Sequence, residues 1–168
     1  MRSHTLRWMA ALTFAVVAAC AVPSRLAAQS PAGTLTALDY AEIQQLHAQY
    51  AHGIDTHADE GWMYANTFTE DGVLTSGSRT WVGRGAIAEL AKPPGDPSLV
   101  HAIVNVKIEP SQEGADVDAN MMQLTLGEPG TSPTVKGFGR YVDVAVRTAE
   151  GWRFKKKTWT LLSAPAEP

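Results

Sequence analysis

Four long segments in the second half of the chain set the strongest limit on what it folds into. Leu99 to Glu109, Ala115 to Leu126, Val135 to Arg147 and Trp152 to Leu162 are rich in Val, Ile, Thr and aromatic residues and are separated by Gly- or Pro-containing turns. Such residues suit a pleated, half-buried surface, and segments joined by short turns pair as hairpins, so this half predicts an antiparallel sheet. The preceding stretch has a different period. Thr36-Ala37-Leu38-Asp39 has the form of a capping box, and Leu38, Ile43, Leu46, Tyr50 and Ile54 stay near one side of a helix, which predicts an amphipathic helix over residues 38 to 55. A second short helix is expected from Asp59 to Phe68, with Trp62, Ala65 and Phe68 inward. Thr69-Glu70-Asp71-Gly72 reads as a turn, Val73 to Thr75 as a short strand, and Ala86 to Ala91 as a third helix ended by Pro93-Pro94. Helices followed by hairpin-connected strands give an α+β fold in which the helices cover the buried face of the sheet.

The N-terminus carries a different kind of signal. Arg2 and Arg7 flank a start without acids, Trp8 to Ala19 is apolar, and Pro23 to Ala28 ends on Leu26-Ala27-Ala28, the layout of a removable secretory signal. The apolar run is too short to span a bilayer, and only Thr13 offers the polar side that a surface core helix needs. Val17-Ala18-Ala19-Cys20 also resembles a lipobox, so two mature forms stay open: a soluble one beginning at Gln29 and one anchored through a lipidated Cys20. The expected organisation is a signal segment over 1–28, a linker over 29–35, one domain over 36–163 and a tail over 164–168. An exported, periplasmic or secreted protein follows from this reading, with membrane attachment only through Cys20.

Charge then narrows the partners. Loss of Arg2, Arg7 and Arg25 leaves 11 basic residues against 17 acidic ones, a net charge of −6 with His neutral. Phosphate backbones need a basic face, so no nucleic-acid partner is expected. The one basic run, Arg153-Phe154-Lys155-Lys156-Lys157, reads as the exposed edge of a strand. Cys20 is the sole cysteine, which leaves the domain without a disulfide, a thiol nucleophile or a cysteine metal site. His47, His52 and His57 recur every five residues, turning each roughly 140° from the last on a helix, which spoils a shared metal face; they read as surface residues. No metal or other cofactor is expected.

Polar residues in apolar settings mark a candidate site. Tyr50 and Asp55 end the first helix, His101 and Asn105 share one strand face by their even separation, and Tyr141, Asp143 and Arg147 share a face of the third long strand. If these faces converge, a His, a carboxylate, a phenol and a guanidinium meet in one pocket. That set suits proton transfer: a carboxylate on one imidazole nitrogen fixes the tautomer and raises basicity, a phenol donates to a developing oxyanion, and an Arg holds negative charge. Each group also has a structural alternative. Asp55 alone can terminate the helix, Tyr50 fits core packing, Asn105 fits a strand-securing role, and Asp143 with Arg147 fits a same-face ion pair.

Tyr50-x4-Asp55, Phe68-Thr69-Glu70-Asp71-Gly72, Gly83-Arg84-Gly85-Ala86-Ile87, His101-x3-Asn105, Gly139-Arg140-Tyr141-Val142-Asp143-x3-Arg147 and Gly151-Trp152-Arg153-Phe154 form an ordered series over residues 38 to 160. The series resembles the SnoaL-like branch of the nuclear transport factor 2-like superfamily, whose members include scytalone dehydratase, a hexachlorocyclohexane dehydrochlorinase, a bile-acid dehydratase, polyketide cyclases and ketosteroid isomerase. The resemblance implies a cone-shaped α+β barrel, with a curved antiparallel sheet wrapped around the N-terminal helices to enclose a pocket, and a homodimer through the convex sheet face bearing Val144 and Val146. It implies that His101 is a general base oriented by Asp55, with Tyr50 as proton donor and Arg147 as charge holder. The Asp pair of the isomerase is not evident. Asn105, Trp62, Tyr141, Phe138 and Met121 are the expected lining for a small hydrophobic or polycyclic molecule. The implied chemistry is a cofactor-independent elimination, isomerisation or cyclisation; the competing reading is a non-catalytic exported binding module, since fold does not fix function.

Overall fold

The computed structural model describes residues 34–163. The signal segment, Cys20 and the tail over 164–168 lie outside the described residues. Helix α1 (Ala37–Thr56) begins where the capping box predicts: Thr36 Oγ1 accepts from the Asp39 amide and Asp39 Oδ2 accepts from the Thr36 amide at 2.7 Å. Asp39 is itself buried, because Trp152 Nε1 donates to its Oδ1 at 3.1 Å and Arg147 ion-pairs with it. The inward face is Ile43, Leu46, His47, Tyr50 and Gly53, a helical spacing that leaves Leu38 out at 63 % exposure, contrary to expectation. Gly53 is required by closeness, since a Cβ there would lie 2.6 Å from the Tyr64 backbone. His57, in the left-handed region at φ 52°, ends the helix.

The expected second helix is shorter and broken. A 3-10 turn (Ala58–Gly61) leads into a single turn of helix, α2 (Trp62–Ala65), after which the chain enters strand β1 (Phe68–Ser76). The Thr69 to Gly72 segment, read as a turn, lies inside β1, where the pairing register shifts between Phe68 and Val73. Then come β2 (Arg79–Val82), α3 (Arg84–Leu90), β3 (Leu99–Pro110), β4 (Ala115–Thr125), β5 (Thr134–Thr148) and β6 (Gly151–Ser163).

The strands form one six-stranded sheet in the order β2-β1-β6-β5-β4-β3. The hairpins β3–β4, β4–β5 and β5–β6 are antiparallel as expected, but β1 joins β6 in parallel, so the sheet is mixed and unclosed rather than wholly antiparallel. The parallel pair follows from the long excursion between β1 and β6, which no two-residue turn constrains. Its inner face and the helices bury Ile43, Leu46, Phe68, Ile87, Val117, Met121 and Phe154 as the core. Strand β3 is an edge, and helix α1 packs beside it.

Candidate active site

Asp55 sits in the last turn of α1 and His101 near the start of β3, and the packing of these two elements brings them together. Asp55 Oδ1 lies 2.5 Å from His101 Nδ1, and both carboxylate oxygens accept from the His101 backbone amide, at 3.2 and 3.1 Å. An ionised carboxylate only accepts, so Nδ1 carries the proton and Nε2 is an acceptor in the neutral ring. Gln123, directly across from His101 on β4, donates its amide to that Nε2 at 3.2 Å. Sequence reading missed Gln123; its signal is the hairpin register, which appears only once the pairing is fixed.

A cleft of about 510 Å³ opens between α1 and β3, lined by Asp55, His101 and Asn105 together with Gln44, His47, Ala48, Ala51, His52 and four β3 aliphatics, Val100, Ile103, Val104 and Val106. Its size suits a small organic ligand. Asn105 reaches it by a different route from the one expected. The register between Val104 and Lys107 slips by one residue, and Asn105 takes φ 54° at the bulge. Asn tolerates that conformation. Downstream of the bulge the inward positions become Val106 and Ile108 instead of odd-numbered residues.

The other expected members do not meet at the cleft. Arg147 ion-pairs with Asp39 and donates to Glu42 at 3.2 Å, near the opposite end of α1 and about 24 Å of helix rise from Asp55. Trp62 is 40 % exposed, because α2 is a single turn whose buried positions are Tyr64 and Ala65. Met121 is buried in the core across from Ile103, and Phe138 is half-buried on the face of β5 opposite Tyr141. Tyr50 and Tyr141 are joined in the buried core: Tyr64 donates to the Tyr50 hydroxyl at 2.8 Å, and that hydroxyl lies 3.3 Å from Tyr141's. Burial pushes both phenols well above their usual range, so they stay neutral.

Two charged residues read as surface features are in the interior. Lys157, taken from sequence for a strand-edge cation, is fully buried, 2.6 Å from Asp143 Oδ2 and within 4.5 Å of the ring centres of Tyr50, Tyr141 and Phe154. Asp143 therefore pairs with Lys157, not with Arg147. Burial pushes the Asp143 carboxyl up to about 6 against the pull of Lys157, and burial lowers Lys157. His47, expected on the surface, is 2 % exposed with Nε2 3.7 Å from Asp143 Oδ2. His52 is exposed, and His57 Nδ1 meets the Ala91 carbonyl at 3.1 Å. Among the described residues no group of three or more His, Cys, Asp or Glu side chains is placed to hold a metal ion.

Comparison with known proteins agrees with this fold. A family model described as SnoaL-like domain matches residues 35–158. ActVI-ORFA from Streptomyces coelicolor is similar in structure, with a TM-score of 0.66 at 22% identity over 76% of this chain and 98% of that one. A protein from Novosphingobium aromaticivorans provisionally described as a scytalone dehydratase gives 0.64 at 18% identity, covering 76% of this chain and 87% of its own. An NTF2-like protein with a cystatin-like fold from the same organism gives 0.65 at 22% identity, covering 77% and 85%. No curated protein matches the sequence. These identities establish a shared fold, and the family match runs from just before the α1 cap into β6, across every element that builds the cleft: the chain belongs to the SnoaL-like domain family.

Proposed function

We propose that the protein is an exported small-molecule lyase or isomerase of the dehydratase type, with His101 as general base and Asp55 as the group that orients it. The observation that carries this reading is the Asp55 carboxylate on His101 Nδ1 at 2.5 Å, reinforced by its grip on the His101 backbone amide. That contact leaves Nε2 as the basic atom. In an elimination, Nε2 takes a proton from carbon; the C–H electron pair becomes the new double bond, and the leaving group departs with its own pair. The imidazolium then formed is stabilised by Asp55 and returns its proton to the leaving group, which balances the step. The aliphatic walls of the cleft suit a hydrophobic skeleton.

A screen of cyclic hydroxy-ketones and halogenated rings against the purified protein, with His101→Ala as control, tests it. Turnover that disappears in His101→Ala while the circular dichroism spectrum is retained supports the base; turnover that survives the substitution rules His101 out. A second reading, a ligand-binding module, draws on Gln123, whose amide already occupies Nε2. Ligands that bind in the cleft without ever being converted would favour it. A homodimer through the outer sheet face is part of the proposal, since Val142 there is 55 % exposed.

A further inference from the structure

Antiparallel pairing sets His101 of β3 directly opposite Gln123 of β4, and side chains at paired positions stand on the same face of a sheet. Residues from two different elements therefore hold the two ring nitrogens of His101. On the α1 side Asp55 lies 2.5 Å from Nδ1 and also accepts from the His101 backbone amide, which fixes the ring as well as its tautomer. On the β4 side the Gln123 amide nitrogen lies 3.2 Å from Nε2. The first hold is a charged clamp, and the second is a single contact with a neutral amide.

Protonation of Nε2 reverses what the ring asks of Gln123. An unprotonated Nε2 accepts from the amide NH2, whereas a protonated Nε2 faces the same NH2 as donor against donor. Asp55 keeps the ring from turning away, so relief falls to the amide. A glutamine carries its acceptor on the same planar head as its donor, and the torsion that exchanges them is soft. Among the described residues no donor meets Gln123 Oε1, so no second bond pins the head in one sense. The facing position on β5 is Gly137, where a Cβ would still stand 3.6 Å from that oxygen. From α1, the titratable side chains lining the His101 cleft are Asp55, His47 and His52. Strand β4 from Met121 to Thr125 has none, and β3 from Leu99 to Val106 has only His101. Gln123 is thus the one polar neighbour of Nε2 that can answer a proton by turning rather than by titrating.

We propose that Gln123 is a positioning residue that follows the proton: its amide nitrogen caps Nε2 while His101 is neutral, and its amide oxygen takes that place once Nε2 is protonated. The proposal rests on the reading of His101 as the base, for which it supplies an acceptor that holds the imidazolium in line until the proton is passed on. No proton moves to the amide itself. A 15N NMR titration of the His101 ring between about pH 5 and 8 compares the wild type with Gln123→Met, which keeps the length of the side chain but neither polar end. A turning amide stabilises both forms of the ring, the charged one more, so Gln123→Met is expected to lower the midpoint by about one pH unit. An amide fixed with its nitrogen inward opposes the charged form, so its removal would raise the midpoint. His47 and His52 are common to both proteins and cancel in the comparison. In the wild type the side-chain NH2 signals of Gln123 are expected to lose their hydrogen-bonded shift in step with His101 protonation, a readout that needs no variant to fold. A raised or unchanged midpoint in Gln123→Met, or NH2 signals indifferent to His101, overturns the proposal. That result leaves the base reading intact, whereas turnover surviving in His101→Ala sinks the base reading and leaves the exchange of donor for acceptor standing.

Discussion

Lys157→Met removes the cation facing Asp143 while keeping most of the side-chain volume among Tyr50, Tyr141 and Phe154. In the wild type the Asp143 carboxyl is already pushed up to about 6 from its usual 3.8. At about 1.4 kcal/mol per pH unit, ionised Asp143 costs the fold roughly 3 kcal/mol at neutral pH even with Lys157 in place. Withdrawing the partner raises the carboxyl further, but protonation caps the added cost at about 1.4 kcal/mol for each pH unit above 6, about 3 kcal/mol at pH 8. For a domain of this size that lowers Tm by roughly 10 °C at pH 8. The loss shrinks in acid. A carboxyl with a raised folded pKa contributes stability that is fully present below 3.8 and lost as pH rises through the folded value, so protonation near pH 5 relieves the variant. Replacing both partners, Lys157→Met with Asp143→Leu, is expected to restore stability to the wild-type level or above, since neither charge then needs a counterpart. Urea unfolding at pH 5 and pH 8 measures all three proteins. A single variant within about 1 kcal/mol of wild type at pH 8, or a double variant as unstable as the single, refutes the reasoning.

Four further outcomes are expected. His47, held neutral by burial, contributes stability that is complete above its unfolded value of 6.5 and is lost as pH falls below it; relative to His47→Leu, the wild type should lose up to about 1.4 kcal/mol per pH unit in urea titrations below pH 6.5. Asp55→Asn keeps the shape but not the charge on His101 Nδ1, so 15N spectra should change from a single Nδ1–H tautomer to a mixture and any turnover should fall by orders of magnitude. If the proposed dimer forms through the exposed face of β5, the wild type should sediment as a dimer and Val142→Asp as a monomer. Mass spectrometry of the natively exported protein should find Gln29, or a lipidated Cys20, at the N-terminus; an intact Met1 would remove the export reading.

The elements that local chemistry specifies were legible from sequence. The α1 start follows from Thr36 and Asp39, and the four long strands match within a residue or two because β-branched runs between Gly and Pro turns carry their own bounds. Strand β1 was hidden, because Thr69 to Gly72 carries turn residues and only pairing with β6 makes it extended. Lys157 was hidden for a related reason. Inward positions on β6 run Trp152, Phe154 and then Lys157, since the register slips opposite Val144 and Ala145, and alternation read through the slip assigns Lys157 the wrong face. His47 was legible and overlooked: it stands at i+4 from Ile43 and i−3 from Tyr50, inside the buried stripe. Asp55 and His101 were recognisable from their motifs, whereas Arg147 shares a face with Asp143 yet lies far enough along β5 to belong to the other end of α1.

Strand β3 is an edge of the sheet, and the outward amides of an edge strand are a template on which another chain's strand can add. The His101 amide is one of them, and Asp55 already occupies it with both oxygens. The carboxylate proposed to orient the base therefore also closes the margin beside it to a foreign strand. The two duties are separable by substitution: Asp55→Asn retains an acceptor for the amide, while Asp55→Ala uncovers it. Asp55→Ala should thus become more prone to self-association, while Asp55→Asn stays as dispersed as the parent. Concentration-dependent light scattering of the two variants, set beside their 15N spectra, distinguishes loss of the orienting charge from loss of the guard.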